Sequence, residues 1–210
     1  MKKGSLFVIS GPSGTGKGTV CGEILKNKDN NLFLSVSTTS RDVREGEIPG
    51  VTYNYTTPEN FRAMAENGDM LEWAVYGGNY YGTPKKDVTD KLNEGKNVLL
   101  EIDVQGALNV KKSYNDAVLL FIAPPSVSEL KRRLEERGRE TEEQIDERIK
   151  IAEFELGNAH KYDYIVINDD LQTCSATVSN IIKSAEFAAK CSEQLINNLK
   201  KQVAGYLLKD

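Results

Sequence analysis

The chain predicts an α/β fold, a parallel sheet covered by helices on both faces, and three observations carry that expectation. Short apolar runs rich in branched residues recur along it: "LFVIS", "NVLLEID", "AVLLFIA" and "YDYIVIND". Continuous runs of this kind read as strands buried on both faces. Stretches with helix-start and helix-stop residues lie between them, and strands alternating with helices build parallel sheets. The first strand also runs directly into "GPSGTGKGTV" at positions 11–20, a glycine-rich turn that opens a helix.

Taken in order, Leu6–Ser10 is the expected first strand and Lys17–Lys26 the helix after the turn. "LFLSVS" at 32–37 reads as a second strand. Residues 38–57, rich in Thr, Gly, Tyr and charge, lack periodicity and are expected to form an irregular lobe of loops and short strands. Thr57 and Pro58 open a helix, with threonine as cap and proline in the first turn, and Gly68 ends it. Thr83 and Pro84 are expected to open another in the same way, stopped by Gly95. Residues 97–103 read as a strand with two carboxylates, Glu101 and Asp103, at its carboxyl end. The strand at 117–123 is closed by Pro124 and Pro125. Ser126 with Glu129 caps a helix ending near Gly138, and Thr141 with Gln144 starts the next. Residues 162–169 form the last strand, and the remainder to Asp210 reads as helical. Ligands of such sheets sit beyond the carboxyl ends of the strands. The glycine-rich loop, Glu101, Asp103 and Asn168 all fall there.

Composition narrows the function. The 210 residues suit one compact domain of moderate size with room for small inserted lobes. Net charge is −4, which argues against a global attraction to nucleic acid. No apolar run approaches the ~20 residues that span a bilayer. "MKKGSLFVIS" leads straight into the loop without a cleavage-type segment, so it reads as the approach to a strand, not a signal peptide. Cys21, Cys174 and Cys191 are odd in number and widely spaced, which suggests neither a disulfide framework nor a zinc site. A reducing cytoplasm is the expected location. The single histidine, His160, lies outside every motif and reads as structural.

The glycine-rich loop carries the strongest local signal. It follows the phosphate-cradling pattern G-x-x-x-x-G-K-[ST] except at the last place, where Gly18 replaces the hydroxyl and Thr19 supplies one a residue later. Across Gly11, Pro12, Ser13, Gly14, Thr15, Gly16, Lys17, Gly18 and Thr19, glycines let backbone N–H groups converge on an anion, and the helix adds its positive end. Lys17 is expected to reach the β- and γ-phosphates. Glycine at 18 cannot ligate magnesium. Thr19 lies about 100° further round the helix and is expected to face a different phosphate. Mg²⁺ is then held by phosphate oxygens and waters, with Glu101 or Asp103 acting through those waters at most.

The acceptor is read from two further stretches. "SVSTTSRDVREGEIPGVTYNY" concentrates Ser37, Arg41, Arg44 and Tyr53, and arginine forks with hydroxyls suit a phosphate monoester. "LEWAVYGGNYYGTPKKDV" brings Glu72, Tyr81 and Thr83 together around a Gly-Gly turn. A carboxylate is the natural partner of guanine's N1–H and 2-amine, a threonine hydroxyl can donate to O6, and Asp103 can add a second carboxylate near the amine. Adenine would leave both acids unpaired, and sites of this kind reject such analogues by orders of magnitude. Tyr80 and Trp73 are expected to be packing residues. Further on, Arg133 and Arg137 are four apart on one helix, and like charges sharing a face are unfavourable, which marks that face as functional. Arg148 on the next helix can return toward Arg137, so that two arginines close over a triphosphate. Arg132–Glu136 is a matched surface pair.

Five separated segments, "GPSGTGKGT", "STTSRDVREGE…Y", "LEWAVYGGNYYGT", "EIDVQGA" and "LKRRLEERGRETEEQIDERI", occur in the order and spacing of guanylate kinases. The chain resembles that family over about residues 4–170. The resemblance implies the P-loop nucleoside monophosphate kinase fold and transfer of the ATP γ-phosphoryl to GMP, giving ADP and GDP. It implies a core at about 1–36, 89–125 and 158–210, a GMP-binding lobe at about 37–88 and a lid at about 126–157. The family's GMP-phosphate contacts fall on Arg41, Arg44, Tyr53 and Tyr81, and its guanine contacts on Ser37, Glu72, Thr83 and Asp103. Its ATP contacts fall on the loop, Arg137, Arg148 and Asn168. Lys17, Arg41, Arg137 and Arg148 are then the expected catalytic residues, with Mg²⁺ accompanying ATP. No general base is needed, because the acceptor oxygen is already anionic and catalysis is positioning plus charge stabilisation. Two rivals remain at this level. Another small-metabolite kinase would share the loop without needing Glu72, Thr83 and Asp103 together. A noncatalytic guanylate-kinase-like module would keep the lobe and lose the loop, whereas Lys17 and the loop glycines are present.

Overall fold

The computed structural model describes residues 3–136, 141–185, 187–188 and 193–207. In chain order the elements are β1 (Leu6–Ser10), α1 (Lys17–Lys26), β2 (Leu32–Leu34), β3 (Thr38–Thr39), β4 (Asn54–Tyr55), α2 (Pro58–Glu66), β5 (Met70–Tyr76) and β6 (Asn79–Pro84). They continue with α3 (Lys85–Asn93), β7 (Asn97–Glu101), α4 (Val104–Ser113), β8 (Val118–Ala123), α5 (Val127–Glu136), α6 (Glu142–Gly157), β9 (Tyr164–Ile167), α7 (Leu171–Ala185) and α8 (Glu193–Leu207).

Five strands form an all-parallel sheet in the order β2-β7-β1-β8-β9. Side chains alternate faces along a strand, and here both faces are covered. Phe7 and Ile9 of β1 point to the side packed by Val20 and Ile24 of α1 and by Val178 and Ile182 of α7. Leu6 and Val8 point to the other side, against Val88 and Leu92 of α3 and Ala107 and Val110 of α4. All of these are at most 2 % exposed. A second, four-stranded mixed sheet, β4-β3-β6-β5, carries the lobe that the sequence left irregular. Its hairpin β5–β6 turns at Gly77 and Gly78, both at positive φ, as tight hairpin turns require. The two helices α5 and α6 share a small core of Leu130, Leu134, Ile145, Ala152 and Ile149.

The cap readings largely hold. Thr57 accepts from the Asn60 N–H ahead of Pro58, and Thr141 with Gln144 makes a reciprocal capping box. The Ser126 hydroxyl accepts from the Glu129 N–H. Three expectations are corrected. The second strand stops at Leu34, because the chain turns there into the lobe. Thr83 does not cap a helix: β6 runs through Pro84, α3 begins at Lys85 without a side-chain cap, and the Thr83 hydroxyl is used elsewhere. The strand expected over 97–103 ends at Glu101, since Asp103 accepts from the Gly106 N–H at 2.7 Å and caps α4, a helix the sequence reading did not anticipate.

Candidate functional site

The β1–α1 turn is held from outside. A Cβ at Gly11 would lie 2.2 Å from the Ile122 carbonyl oxygen, and one at Gly16 would lie 2.7 Å from the Asn168 amide nitrogen. Only glycine lets the loop approach its supports so closely. Within the loop, the Thr15 hydroxyl donates to the Pro12 carbonyl (2.9 Å), and Lys17 Nζ curls back to donate to the carbonyls of Gly11 (2.6 Å) and Pro12 (3.0 Å). Asn168 is buried and its side chain donates to the Thr15 carbonyl at 2.7 Å. It braces the loop in this structure, a role distinct from the ATP contact that the resemblance implies. Gly18 and Thr19 are exposed in the first turn of α1.

A cleft of about 400 Å³ opens beyond the carboxyl ends of β1 and β7. Gly11, Ser13 and Lys17 form one wall. Ser37, Arg41, Arg44, Tyr53, Glu72 and Tyr81 line the cleft from the segments around the four-stranded sheet, and Glu101, Asp103 and Arg148 complete the lining. Apart from Arg137, which lies outside the described residues, the structure thus gathers every charged residue that the sequence assigned to binding or catalysis. Arg148 Nη1 of α6 donates to the Ser13 hydroxyl, so α6 reaches the loop. Arg133 was expected to share a repelling face with Arg137, and Arg137 lies outside the described residues. Arg133 pairs with Glu129 at 2.7 Å and donates to the Asn168 carbonyl at 3.0 Å, which compensates its charge and ties α5 to the end of β9. Arg132 pairs with Glu136 as expected.

Strand alternation decides which lobe residues face the cleft. On β5, Glu72 points inward and is 7 % exposed, while Trp73 points outward. Trp73 packs on Phe61 and Tyr80, and Tyr80 stacks on Phe61 at 5.3 Å. Tyr80 is therefore a packing residue, whereas Trp73, 44 % exposed, covers the lobe's outer face without entering a core. Thr83, fully buried on β6, donates its hydroxyl to Glu72 Oε1 at 2.7 Å. A hydroxyl has one proton, so in this state Thr83 orients the carboxylate and does not offer a donor to O6. Burial pushes the Glu72 carboxyl up to about 7. The Thr83 hydrogen bond opposes that rise and nearby Asp103 adds to it. Burial also raises the Glu101 carboxyl, against the pull of Lys17.

Sequence reasoning passed over two residues here. Gly106 stands where a Cβ would come within 2.9 Å of Glu72 Oε2, so its missing side chain makes room for the carboxylate. Glu47 grips Arg41 through both terminal nitrogens, Nη2 to Oε1 at 2.8 Å and Nη1 to Oε2 at 3.0 Å. It also accepts from the Arg44 N–H (2.8 Å) and the Tyr55 hydroxyl (2.7 Å). Arg41 holds the Glu47 carboxyl down to about 2. The glutamate stands in the quoted "REGE", but six residues of irregular loop hide its pairing. His160, expected to be structural, does not line the cleft, and its ring Nδ1 lies 2.9 Å from the Gly157 carbonyl oxygen.

Comparison with known proteins agrees with this geometry. Residues 3–185 match the family model described as guanylate kinase. The chain is 50% identical over 191 residues to the guanylate kinase of Clostridium tetani, covering 91% of this chain and 89% of that one. It is 47% identical over 190 residues to the guanylate kinase of Carboxydothermus hydrogenoformans, covering 90% and 93%. Among solved structures, that of guanylate kinase from Anaplasma phagocytophilum superposes with a TM-score of 0.73 at 34% identity, covering 87% of this chain and 86% of that one. The chain belongs to the guanylate kinase family.

Proposed function

We propose that this cleft transfers the γ-phosphoryl of ATP to GMP, giving ADP and GDP, with the loop wall holding ATP and the lobe wall holding GMP. The observation that carries the reading is the buried Glu72, fixed by Thr83 and lying near Asp103 in a cleft that faces Lys17. Guanine's N1–H and 2-amine are the donors that such a pair of carboxylates satisfies. Ser37, whose hydroxyl lines the same wall, is the donor left for O6. Arg41, Arg44, Tyr53 and Tyr81 take the GMP phosphate, and the loop N–H groups with Lys17 and Arg148 take the triphosphate. Arg137, outside the described residues, retains the lid role that the resemblance implies. The acceptor oxygen is anionic near neutral pH, so these residues align the two phosphates and neutralise developing charge, and no side chain has to remove a proton. Closure of lid and lobe excludes water as a competing acceptor. Among the described residues no helix is long and apolar enough to cross a membrane. The free cysteines Cys21 and Cys174 are buried, and a cytoplasmic setting fits them.

The test follows from Glu72. Its carboxyl titrates at about 7 in the free protein, and guanine's donors require the ionised form. GMP binding therefore releases a proton from Glu72 below and around pH 7, and affinity strengthens as pH rises through that range. Calorimetry in buffers of different ionisation enthalpy should show this release at pH 7, fading by pH 8.5. Glu72→Gln should lose that share and keep only the part due to the phosphate itself. Equal release by both proteins at pH 7 would remove Glu72 from the base site.

Magnesium fits the site as a partner of ATP. Gly18 offers no ligand, and a Cβ built there would lie 3.5 Å from Glu101 Oε1. A carboxylate thus stands near the place where the usual hydroxyl would project, within reach of a metal's waters. Mg²⁺ readily keeps several waters, and bound with ATP it would offset phosphate charge. Gly18→Ser has room for its Cβ at ordinary contact distance. It should lower the magnesium concentration needed to strengthen ATP binding, read by calorimetry of ATP at graded magnesium. An unchanged or higher requirement would show that residue 18 does not face the metal.

A further inference from the structure

We infer that Glu47 is a positioning residue for the acceptor phosphate: it holds Arg41 end-on, so that the guanidinium presents its Nε/Nη2 edge to the cleft. An arginine head has five N–H donors. Nη1 uses both of its own, on Glu47 Oε2 and on the Asp42 carbonyl at 2.6 Å, and Nη2 uses one on Glu47 Oε1. The remaining Nη2–H and the Nε–H share one edge, the side of the guanidinium left for Tyr81 and for a phosphate. Arg41 and Tyr81 line the same cleft, and the Tyr81 hydroxyl oxygen accepts from this edge, so the pair presents one guanidinium N–H and the Tyr81 O–H to a phosphate. Tyr53 and Tyr55 flank the guanidinium, with ring centroids at 5.5 and 6.0 Å.

Glu47 organises more than one side chain. Its Oε2 accepts from Arg41, the Arg44 N–H and the Tyr55 hydroxyl together, so one carboxylate closes the loop from 41 to 47 and fastens it to β4. The pair is mostly shielded, at 11% and 18% exposure. A carboxylate in an anion site also repels the phosphate, and the sign of its net effect has to be argued. The guanidinium lies between the two anions, so each is closer to the cation than to the other. Freeing the long arginine side chain also restores rotamer freedom that binding must then remove again. Positioning is therefore expected to outweigh repulsion.

The inference rests on the reading of Arg41 as a ligand of the GMP phosphate, and the experiment separates the two. Affinities for GMP and for guanosine, which lacks the phosphate, are measured by calorimetry without ATP. The proteins are wild type, Glu47→Gln, Arg41→Ala and the double variant. Glu47→Gln should weaken GMP roughly tenfold, the scale of one charged hydrogen bond, and leave guanosine unchanged. In the Arg41→Ala background the same change should cost nothing more. Tyr55→Phe removes one support without touching the ion pair and should weaken GMP about two- to fivefold, which keeps the test available if Glu47→Gln melts early. The inference is overturned if guanosine weakens as much as GMP, if GMP binds as well or better without the carboxylate, or if the two losses add. Wild-type GMP affinity in Arg41→Ala would overturn the placement of Arg41 itself, and the inference with it.

Discussion

Lys17→Ala should lose turnover by on the order of 10²- to 10³-fold, the scale set by removing one preorganised donor from developing charge, while GMP affinity changes little. The division follows from where the lysine sits. Its Nζ arches over the loop that it belongs to, on the Gly11 and Pro12 carbonyls, and the groups assigned to GMP come from other segments lining the same cleft. Backbone N–H groups of the loop remain in the variant and still cradle a triphosphate. What is lost is a positive charge able to follow electrons onto the β–γ bridge as the γ-phosphoryl leaves. Interactions made only in the transition state lower kcat without altering ground-state binding of the other substrate. Steady-state kcat together with GMP calorimetry checks this. A loss of GMP affinity as large as the loss of kcat would contradict that division.

Glu72→Gln should cut kcat/KM for GMP by roughly 10- to 150-fold, from 1.5–3 kcal/mol for a charged hydrogen bond in a buried site, and should narrow the preference over AMP. The substitution preserves volume, which matters because Gly106 leaves the carboxylate little spare room. It replaces an acceptor with an amide donor that faces guanine's own donors. It also disturbs the Thr83 hydroxyl, whose only proton now goes to Glu72. AMP has neither the N1–H nor the 2-amine, so it has less to lose, and the ratio of the two substrates falls. The check is kcat/KM for both nucleotides in both proteins. A near-wild-type value with GMP would place guanine elsewhere.

The parts legible in the sequence share a physical character. Buried parallel strands announce themselves by unbroken apolar runs, and β1, β7, β8 and β9 lie within two residues of the ends read for them. Proline and capping residues placed α2 and α6, because those signals act within one turn. α4 escaped because its cap, Asp103, was read as the end of a strand and as a base ligand; the structure spends one of its oxygens on the cap. Thr83 misled in the reverse direction, since a threonine before a proline looks like a cap whether or not its hydroxyl is committed across a hairpin. The site's residue types were legible, but their pairings were not. Glu47 meets Arg41 across an irregular loop, and Arg133 finds the Asn168 carbonyl 35 positions away. No local periodicity encodes either contact.

The central claim, that the cleft passes phosphoryl from ATP to GMP by reading guanine, is tested most directly by ADP formation from ATP and magnesium with GMP, AMP, CMP, UMP or no acceptor. ADP should form rapidly with GMP and at least about 10³-fold more slowly with every other acceptor, because a site built on hydrogen bonds to guanine leaves its buried acids unpaired with anything else. Comparable rates with AMP, or the same ADP formation without an acceptor, would contradict it.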